Sequence, residues 1–359
     1  MLDLRPMLAE TEPAWRANLA RMFGAMQFVL GEQVASCERE LAAQFGARYA
    51  VGVASGTAAI ELGLRAAGLA ESGAEVIVPA LTSLFTAQAV LTAGCRPRFA
   101  DVDAEHLLLD PASAEEQCTR RTRAIVPVHL YGQPCAMEAV REVARRRGLA
   151  IVQDACQAHG AQCGGSPLTH YSAAVAYSFY PTKNLPCLGD GGAVLTDSAR
   201  VAKSLARLRD GGRNRDQVAR VSAINARLDE MQACYVRAFL PKLEAWNTRR
   251  VRLARLYDEA LAGARAVTPV ARRAESVCHL YVARARRRDR LRAHLDRLGI
   301  RTGVHYPMPL HLQKAFGDGS RRGDFPVAEK ACREIVSLPL WAHMPESAVE
   351  EVAARIREL

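Results

Sequence analysis

A chain of 359 residues with 49% hydrophobic and 24% charged side chains has the make-up of a globular protein with a sizeable core, built either as one large α/β domain with an appendage or as two or three domains. Its formal net charge of +10 would suit a polyanionic partner, but the arginines are spread along the chain without a zinc-finger, helix-turn-helix or RNA-binding signature; nucleic acid is therefore not expected, and a phosphorylated small molecule would also welcome the charge. No run of eighteen apolar residues marks a membrane span, and the opening Met1-Leu-Asp-Leu-Arg-Pro lacks the basic-then-apolar order of a signal peptide, so the cytoplasm is the expected compartment.

Between about residues 30 and 200, short apolar runs alternate with helical patterns. Strands are predicted over 49–54, 75–79, 97–101, 124–129, 149–154, 174–179 and 192–196. Helices are predicted over 57–67, from the end of the second strand through Ala93, and over 135–147. This alternation predicts an α/β fold: a mostly parallel central sheet with helices on both faces, and ligands gathered at the carboxyl ends of its strands. Residues 211–225 are polar and aperiodic, a loop whose length points to function. A helical pattern over 228–261 carries the stripe Leu228, Met231, Tyr235, Ala238, Leu243 and Trp246, with a break expected at Pro241. The last hundred residues read as a separate α+β unit, with a strand over 279–285 and helices over 288–298 and 346–359. The basic runs Arg145-Arg146-Arg147 and Arg286-Arg287-Arg288 fall on predicted helices or their ends and read as solvated faces.

The lysines narrow the search for chemistry. Of Lys183, Lys203, Lys242, Lys314 and Lys330, only Lys183 stands just past an apolar strand and ahead of a glycine-rich turn, Gly189-Asp-Gly-Gly. A loop lysine on its own is usually solvated, but this one has companions. Asp154 ends the strand Leu149-Ala-Ile-Val-Gln-Asp, where a carboxylate can face a ligand; by itself it reads as a turn or cap residue. Ser55-Gly-Thr-Ala lies between a strand and a helix, a small-residue turn whose N–H groups and helix dipole favour a phosphate, though any capped turn of this type looks similar. The ten cysteines include no C-x-x-C pair, so they are expected to be reduced and mostly buried, with no metal site.

Taken together the motifs resemble, nearly end to end, the DegT/DnrJ/StrS group of nucleotide-sugar aminotransferases. Phe28-Val-Leu-Gly resembles the family's N-terminal turn, and Val53-Ala-Ser-Gly-Thr-Ala-Ala its phosphate-binding turn. Asp154-Ala-Cys-Gln-Ala-His-Gly-Ala is similar to the ring-nitrogen motif, and Ser178-Phe-Tyr-Pro-Thr-Lys-Asn to the segment that carries the cofactor-binding lysine. Asn225-Ala-Arg-Leu-Asp-Glu-Met-Gln-Ala resembles the segment that crosses the dimer, and His305-Tyr-Pro-Met-Pro-Leu-His and Ser337-Leu-Pro-Leu the C-terminal pair.

The resemblance implies the type I fold of pyridoxal-phosphate (PLP) aminotransferases, with a large domain over 1–245 and a small one over 246–359, and a homodimer with shared active sites. It implies Lys183 and Asp154 as catalytic residues, with Lys183 holding the cofactor and Asp154 its ring nitrogen. Gln157 would lie near the ring hydroxyl; Gly56, Thr57, Ala58 and Ser178 would hold the phosphate, helped by Asn225 of the second subunit. Gly31, His305, Tyr306 and His311 would line the sugar-nucleotide side. L-glutamate is the implied amino donor, and pyridoxamine phosphate the alternating cofactor form. Members with histidine in place of the lysine dehydrate, so Lys183 favours transamination. Leu188-Gly-Asp-Gly-Gly and His129-Leu-Tyr-Gly-Gln-Pro look more like members that aminate a C3 ketone. The expected substrate is a dTDP-3-keto-6-deoxyhexose, ahead of a UDP-keto-sugar or a keto-inositol; a non-catalytic PLP-binding regulator is the alternative from another class. One departure stands out: in Pro79-Ala-Leu-Thr-Ser-Leu-Phe, Ser83 occupies a place where the family usually stacks an aromatic ring on the cofactor, and either Phe85 swings in or the ring is packed differently.

Overall fold

Seven short strands rich in valine, isoleucine and alanine build the central sheet: β1 (Tyr49–Val53), β2 (Glu75–Pro79), β3 (Arg96–Ala100), β4 (Thr122–Ile125), β5 (Ala150–Asp154), then, after the small hairpin β6 (Gln162–Cys163) and β7 (Ser166–Pro167), β8 (Ala174–Ser178) and β9 (Gly192–Thr196). The computed structural model describes residues 3–69, 73–214 and 216–359; Met1 and Leu2, where the N-terminal reading begins, and Arg215, inside the 211–225 loop, lie outside them. The sheet order is β1-β9-β8-β5-β4-β2-β3. Strand β9 runs antiparallel to both its neighbours, and the pairs from β8 through β5, β4 and β2 to β3 are parallel. Burial on both faces explains the continuous apolar runs: Val76, Ile77 and Val78 have no exposed surface. The predicted strand over 124–129 stops at Ile125, ahead of Pro127, which has no N–H to give the ladder; beyond it the Val126 N–H still reaches the Ile77 carbonyl and a bridge joins Val128 to Asp154.

The helices follow the sequence pattern. Ser55, in extended conformation, caps Gly56–Ala66 by accepting the Ala58 N–H at 3.1 Å. Met137–Arg147 ends at Gly148, whose φ of 65° a glycine adopts without a Cβ clash. The 145–147 run is ion-paired: Arg145 with Glu142, Arg146 with Glu142 and Glu115, and Arg147 with Glu115. The long helical stretch breaks at the proline as expected, into Glu230–Phe239, a 3-10 turn Leu240–Lys242, and Leu243–Ala260.

A second, antiparallel sheet is ordered β10 (Thr268–Pro269), β11 (Tyr281–Arg284) and β12 (Ile335–Leu338). Its core gathers Leu253, Tyr257, Leu295 and Ile356, with Tyr257 and Tyr281 stacked 4.6 Å apart. Leu243–Ala260 joins the two cores, Trp246 packing on the large-sheet side and Leu253 onward on the other. The chain then returns to the large sheet: Leu310 donates its N–H to the Ala80 carbonyl at 2.8 Å, and the Asp101 carboxylate accepts the N–H groups of Val327 and Ala328. That return brings residues 303–311 to the carboxyl ends of the strands. Among the described residues, no helix is long and apolar enough to cross a membrane.

Candidate functional site

Three elements meet at one point. Gly56 opens its helix so close to β8 and to the turn after β5 that an added Cβ would lie 2.6 Å from the Ser178 Cβ and 2.8 Å from the Cys156 Sγ. By helix geometry, the first N–H groups beyond those that Ser55 engages are left without intrahelical acceptors. The positive end of the helix dipole and the end of β8 at Ser178 therefore share a small-residue corner suited to an anion.

Asp154 ends β5 and is 4% exposed. Its Oδ2 accepts the Thr86 hydroxyl at 2.8 Å and its Oδ1 the Cys156 N–H at 3.1 Å, so the carboxylate is held from two sides. Gln157 accepts the Tyr131 N–H at 2.7 Å and donates to the Tyr306 hydroxyl at 3.3 Å. Tyr131, in the left-handed region at φ 63°, donates its own hydroxyl to the His305 carbonyl at 2.6 Å. His305 is fixed in turn through Nδ1 to the Ser337 hydroxyl at 2.8 Å.

Lys183 is half-buried in the turn between β8 and β9, its N–H donated to the Tyr180 carbonyl at 2.9 Å. Among the described residues its ammonium has no hydrogen-bond or ion-pair partner. Burial holds its pKa below the ordinary lysine value, against the opposing pull of Cys156 and Asp154. Around it the imidazoles are kept neutral. Burial, then the Lys183 charge, lowers His159 to about 3, and the same two causes hold His305 below and His279 well below the usual value. His159 Nε2 bonds the Ser178 carbonyl at 2.8 Å, and its buried Nδ1 has no partner among the described residues.

The structure thus brings Gly56, Ala58, Asp154, Gln157, Ser178, Lys183, His305 and Tyr306 to the carboxyl ends of the sheet, with Thr57 in the first turn of the same helix. Others lie apart within one chain. Gly31 is the N-cap of Glu32–Gln44, and its N–H is taken by Glu230 at 2.8 Å. Asn225 is exposed, bridged to Asp210. The His311 side chain has no exposed surface: it bonds Glu329 at 3.2 Å and packs edge-on to Phe325, so it does not reach an open face. Ser83 caps Leu84–Thr92 beside the Tyr306 hydroxyl, which Gln157 reaches, while Phe85 is 57% exposed. The Ser83 corner is therefore occupied by Tyr306 from the C-terminal segment. Sequence reasoning missed Thr86, Tyr131 and Arg250. Arg250 is 5% exposed, bonds, among the described residues, the carbonyls of His279 and Leu340 alone, and has its pKa lowered to about 10 by burial. For Tyr131 there was a signal, a bulky residue before glycine in His129-Leu-Tyr-Gly; for Thr86 and Arg250 there was none.

This donor set fits PLP. A half-buried, unpartnered amine suits its carbonyl carbon, a carboxylate held by two donors suits a ring N–H, and a helix N-terminus beside Ser178 suits its phosphate.

Comparison with known proteins agrees. A model of the DegT/DnrJ/EryC1/StrS aminotransferase family matches residues 11–357. The chain is 42% identical over 360 residues to a dTDP-3-amino-3,4,6-trideoxy-alpha-D-glucose transaminase of Streptomyces venezuelae, covering 99% of this chain and 95% of that one. It is 39% identical to a pleiotropic regulatory protein of Geobacillus stearothermophilus, covering 100% and 97%. The crystal structure of S. venezuelae DesV in complex with a ketimine intermediate superposes with a TM-score of 0.95 at 40% identity, covering 99% and 96%.

Proposed function

From the chain's membership of the DegT/DnrJ/EryC1/StrS aminotransferase family, we propose that it moves the amino group of L-glutamate onto the C3 ketone of a dTDP-linked 6-deoxyhexose. The observation that carries this reading is the unpartnered, half-buried Lys183 amine beside the anchored Asp154 carboxylate. The 3-amino sugar in the name of the Streptomyces relative supports the sugar and the position.

When bound, PLP supplies a carbon that takes up the amino group and a ring that spreads the electron pair released at the donor's α-carbon. The roles of this chain's residues follow from where they stand. Lys183 Nζ would attach the cofactor and, once freed, would carry the proton from the donor α-carbon to the cofactor carbon that takes up the amino group; burial keeps that amine basic but less often protonated than a free lysine. Asp154 holds the ring N–H, and Thr86 and the Cys156 N–H fix its orientation. Gln157 holds the ring hydroxyl; Gly56, Thr57, Ala58 and Ser178 take the phosphate, with Asn225 contributed across a dimer. His305 and Tyr306 face the sugar, while His311 positions the 305–311 segment by anchoring it to Glu329.

A second copy of the chain is the partner. Phe23 and Phe28 pack at 6.1 Å and, with Met26, Val29 and Met231, leave an exposed apolar surface. Val29 bridges Asp229 in that same region, close in sequence to Asn225. The large domain is taken as 1–245 and the small one as 246–359, and the working compartment as the cytoplasm.

Absorbance spectroscopy of the purified holoenzyme tests the reading. L-glutamate should lower the near-visible cofactor band as the pyridoxamine form rises, and a dTDP-3-keto-6-deoxyhexose should restore it. A band that glutamate and other amino donors leave unmoved sinks the catalytic reading; the regulatory one, which the Geobacillus relative's name favours, would then lead.

A further inference from the structure

The basic run 286–288 is not used by the amino-transfer site. It borders a cavity of about 580 Å³ in the C-terminal unit, at the amino end of the helix Arg288–Arg297. That size falls within the roughly 300–1,000 Å³ of small-molecule sites. Six cations line the cavity: Arg265, Arg284, Arg286, Arg287, Arg290 and Lys330. Its one side-chain carboxylate, Glu334, already lies 4.0 Å from Arg284.

We infer that this cavity is a second anion site, built for a diphosphate-bearing small molecule.

Pairing is the first argument. The 145–147 run is matched carboxylate by carboxylate with Glu115 and Glu142. Around this cavity, among the described residues, the side chains of Arg265, Arg286, Arg287, Arg290 and Lys330 make no hydrogen bond or ion pair. Like charges held around one concavity repel, and among the described residues no side-chain carboxylate pairs with these five. Placement is the second argument. Arg287 is the N-cap of the helix and Arg290 is in its first turn, at the positive end of the dipole, where acidic residues normally stand. The first-turn acid, Asp289, is engaged by Arg288 at 3.0 Å. An anion in the cavity removes both penalties. Chemistry is the third. Guanidinium forks bind phosphate oxygens in pairs, and several forks around one space suit two linked phosphates better than one. No aromatic side chain lines the cavity, so a base has nothing to stack on and recognition rests on the diphosphate. None of the lining residues belongs to the Lys183 site, so this inference stands apart from the amino-transfer reading.

The test is calorimetric titration of the holoenzyme with inorganic pyrophosphate, and with dTDP as a second arm. The variants are Arg286→Ala/Arg290→Ala and, as a charge-matched control, Arg145→Ala/Arg146→Ala. The expected result is pyrophosphate affinity weakened roughly tenfold or more in the first variant and unchanged in the control. Pyrophosphate should also raise the melting temperature of the wild type and not that of the first variant. Equal effects of the two substitutions in the dTDP and pyrophosphate arms mean that the cavity reads the diphosphate alone; a larger effect with dTDP makes a nucleoside diphosphate the natural ligand. Equal weakening in both variants would reduce the attraction to net charge, and no weakening in either would put the anion elsewhere; both outcomes overturn the inference. The near-visible cofactor band reports whether each variant is folded and loaded.

Discussion

At the scale of single residues, Lys183 and Asp154 differ in how they are held. Asp154 is fixed by two donors, whereas the Lys183 ammonium has no hydrogen-bond or ion-pair partner among the described residues, as a group that must detach and move requires. Replacing Lys183 by alanine should cut the glutamate half-reaction by roughly 10²–10⁴-fold, measured by stopped-flow absorbance. Because burial lowers the Lys183 pKa, the amine form persists to lower pH than in a free lysine. The acidic limb of the half-reaction should accordingly lie below the ordinary lysine range, and a limb at the ordinary lysine value would contradict this. Glu10 gives a second prediction, for stability. Burial alone would raise its pKa, but hydrogen bonds from His343, Trp246 and Lys242 outweigh it and hold the carboxyl at about 2 against an ordinary 4.5. A depressed carboxyl stabilises the fold above its unfolded value, and that stability is lost as pH falls from 4.5 towards 2. Glu10→Gln should flatten acid unfolding in that window and cost roughly 1 kcal/mol or less at neutral pH after solvent screening, as read by denaturant titration.

At the scale of elements, the helix Gly56–Ala66 is the tightest join. Gly56→Ala should force the helix start away from Ser178 and Cys156, costing about 1–3 kcal/mol in denaturant unfolding and loosening cofactor retention on gel filtration. These elements were the ones most legible in the sequence, and the reason is physical. Strands buried on both faces announce themselves as unbroken apolar runs, and Pro241 marked its own break. The helix Glu12–Ala25 went unread, since its fit depends on a distant neighbour: Asn18 bonds the Cys234 carbonyl. The site divides in the same way. Lys183, Asp154 and the Ser55 turn sit in local motifs at strand ends and could be read directly. Thr86, Arg250 and the burial of His311 depend on contacts between segments far apart in sequence, and no local pattern encodes them.

At the scale of the whole molecule, the apolar surface around Phe28 is the feature that one chain leaves open. If the chain pairs through that surface as proposed, Phe28→Asp should convert a dimer to a monomer in sedimentation and lower turnover at least tenfold, through loss of the contribution proposed for Asn225 across the dimer. Turnover unchanged in a proven monomer would show that each chain carries a whole site.

Strand β9 is the sheet's antiparallel member and lies between β1 and β8, so the earliest strand of the sheet has no neighbour until Gly192–Thr196 arrives. Lys183 lies on the link that delivers it. As the chain leaves the ribosome, the strands from β2 to β8 can assemble in order, but the lysine is not seated until the last strand slides into the gap. Loading with cofactor would then mark the end of assembly of the large sheet, and a nascent chain that stops short of residue 196 would have no place to keep it.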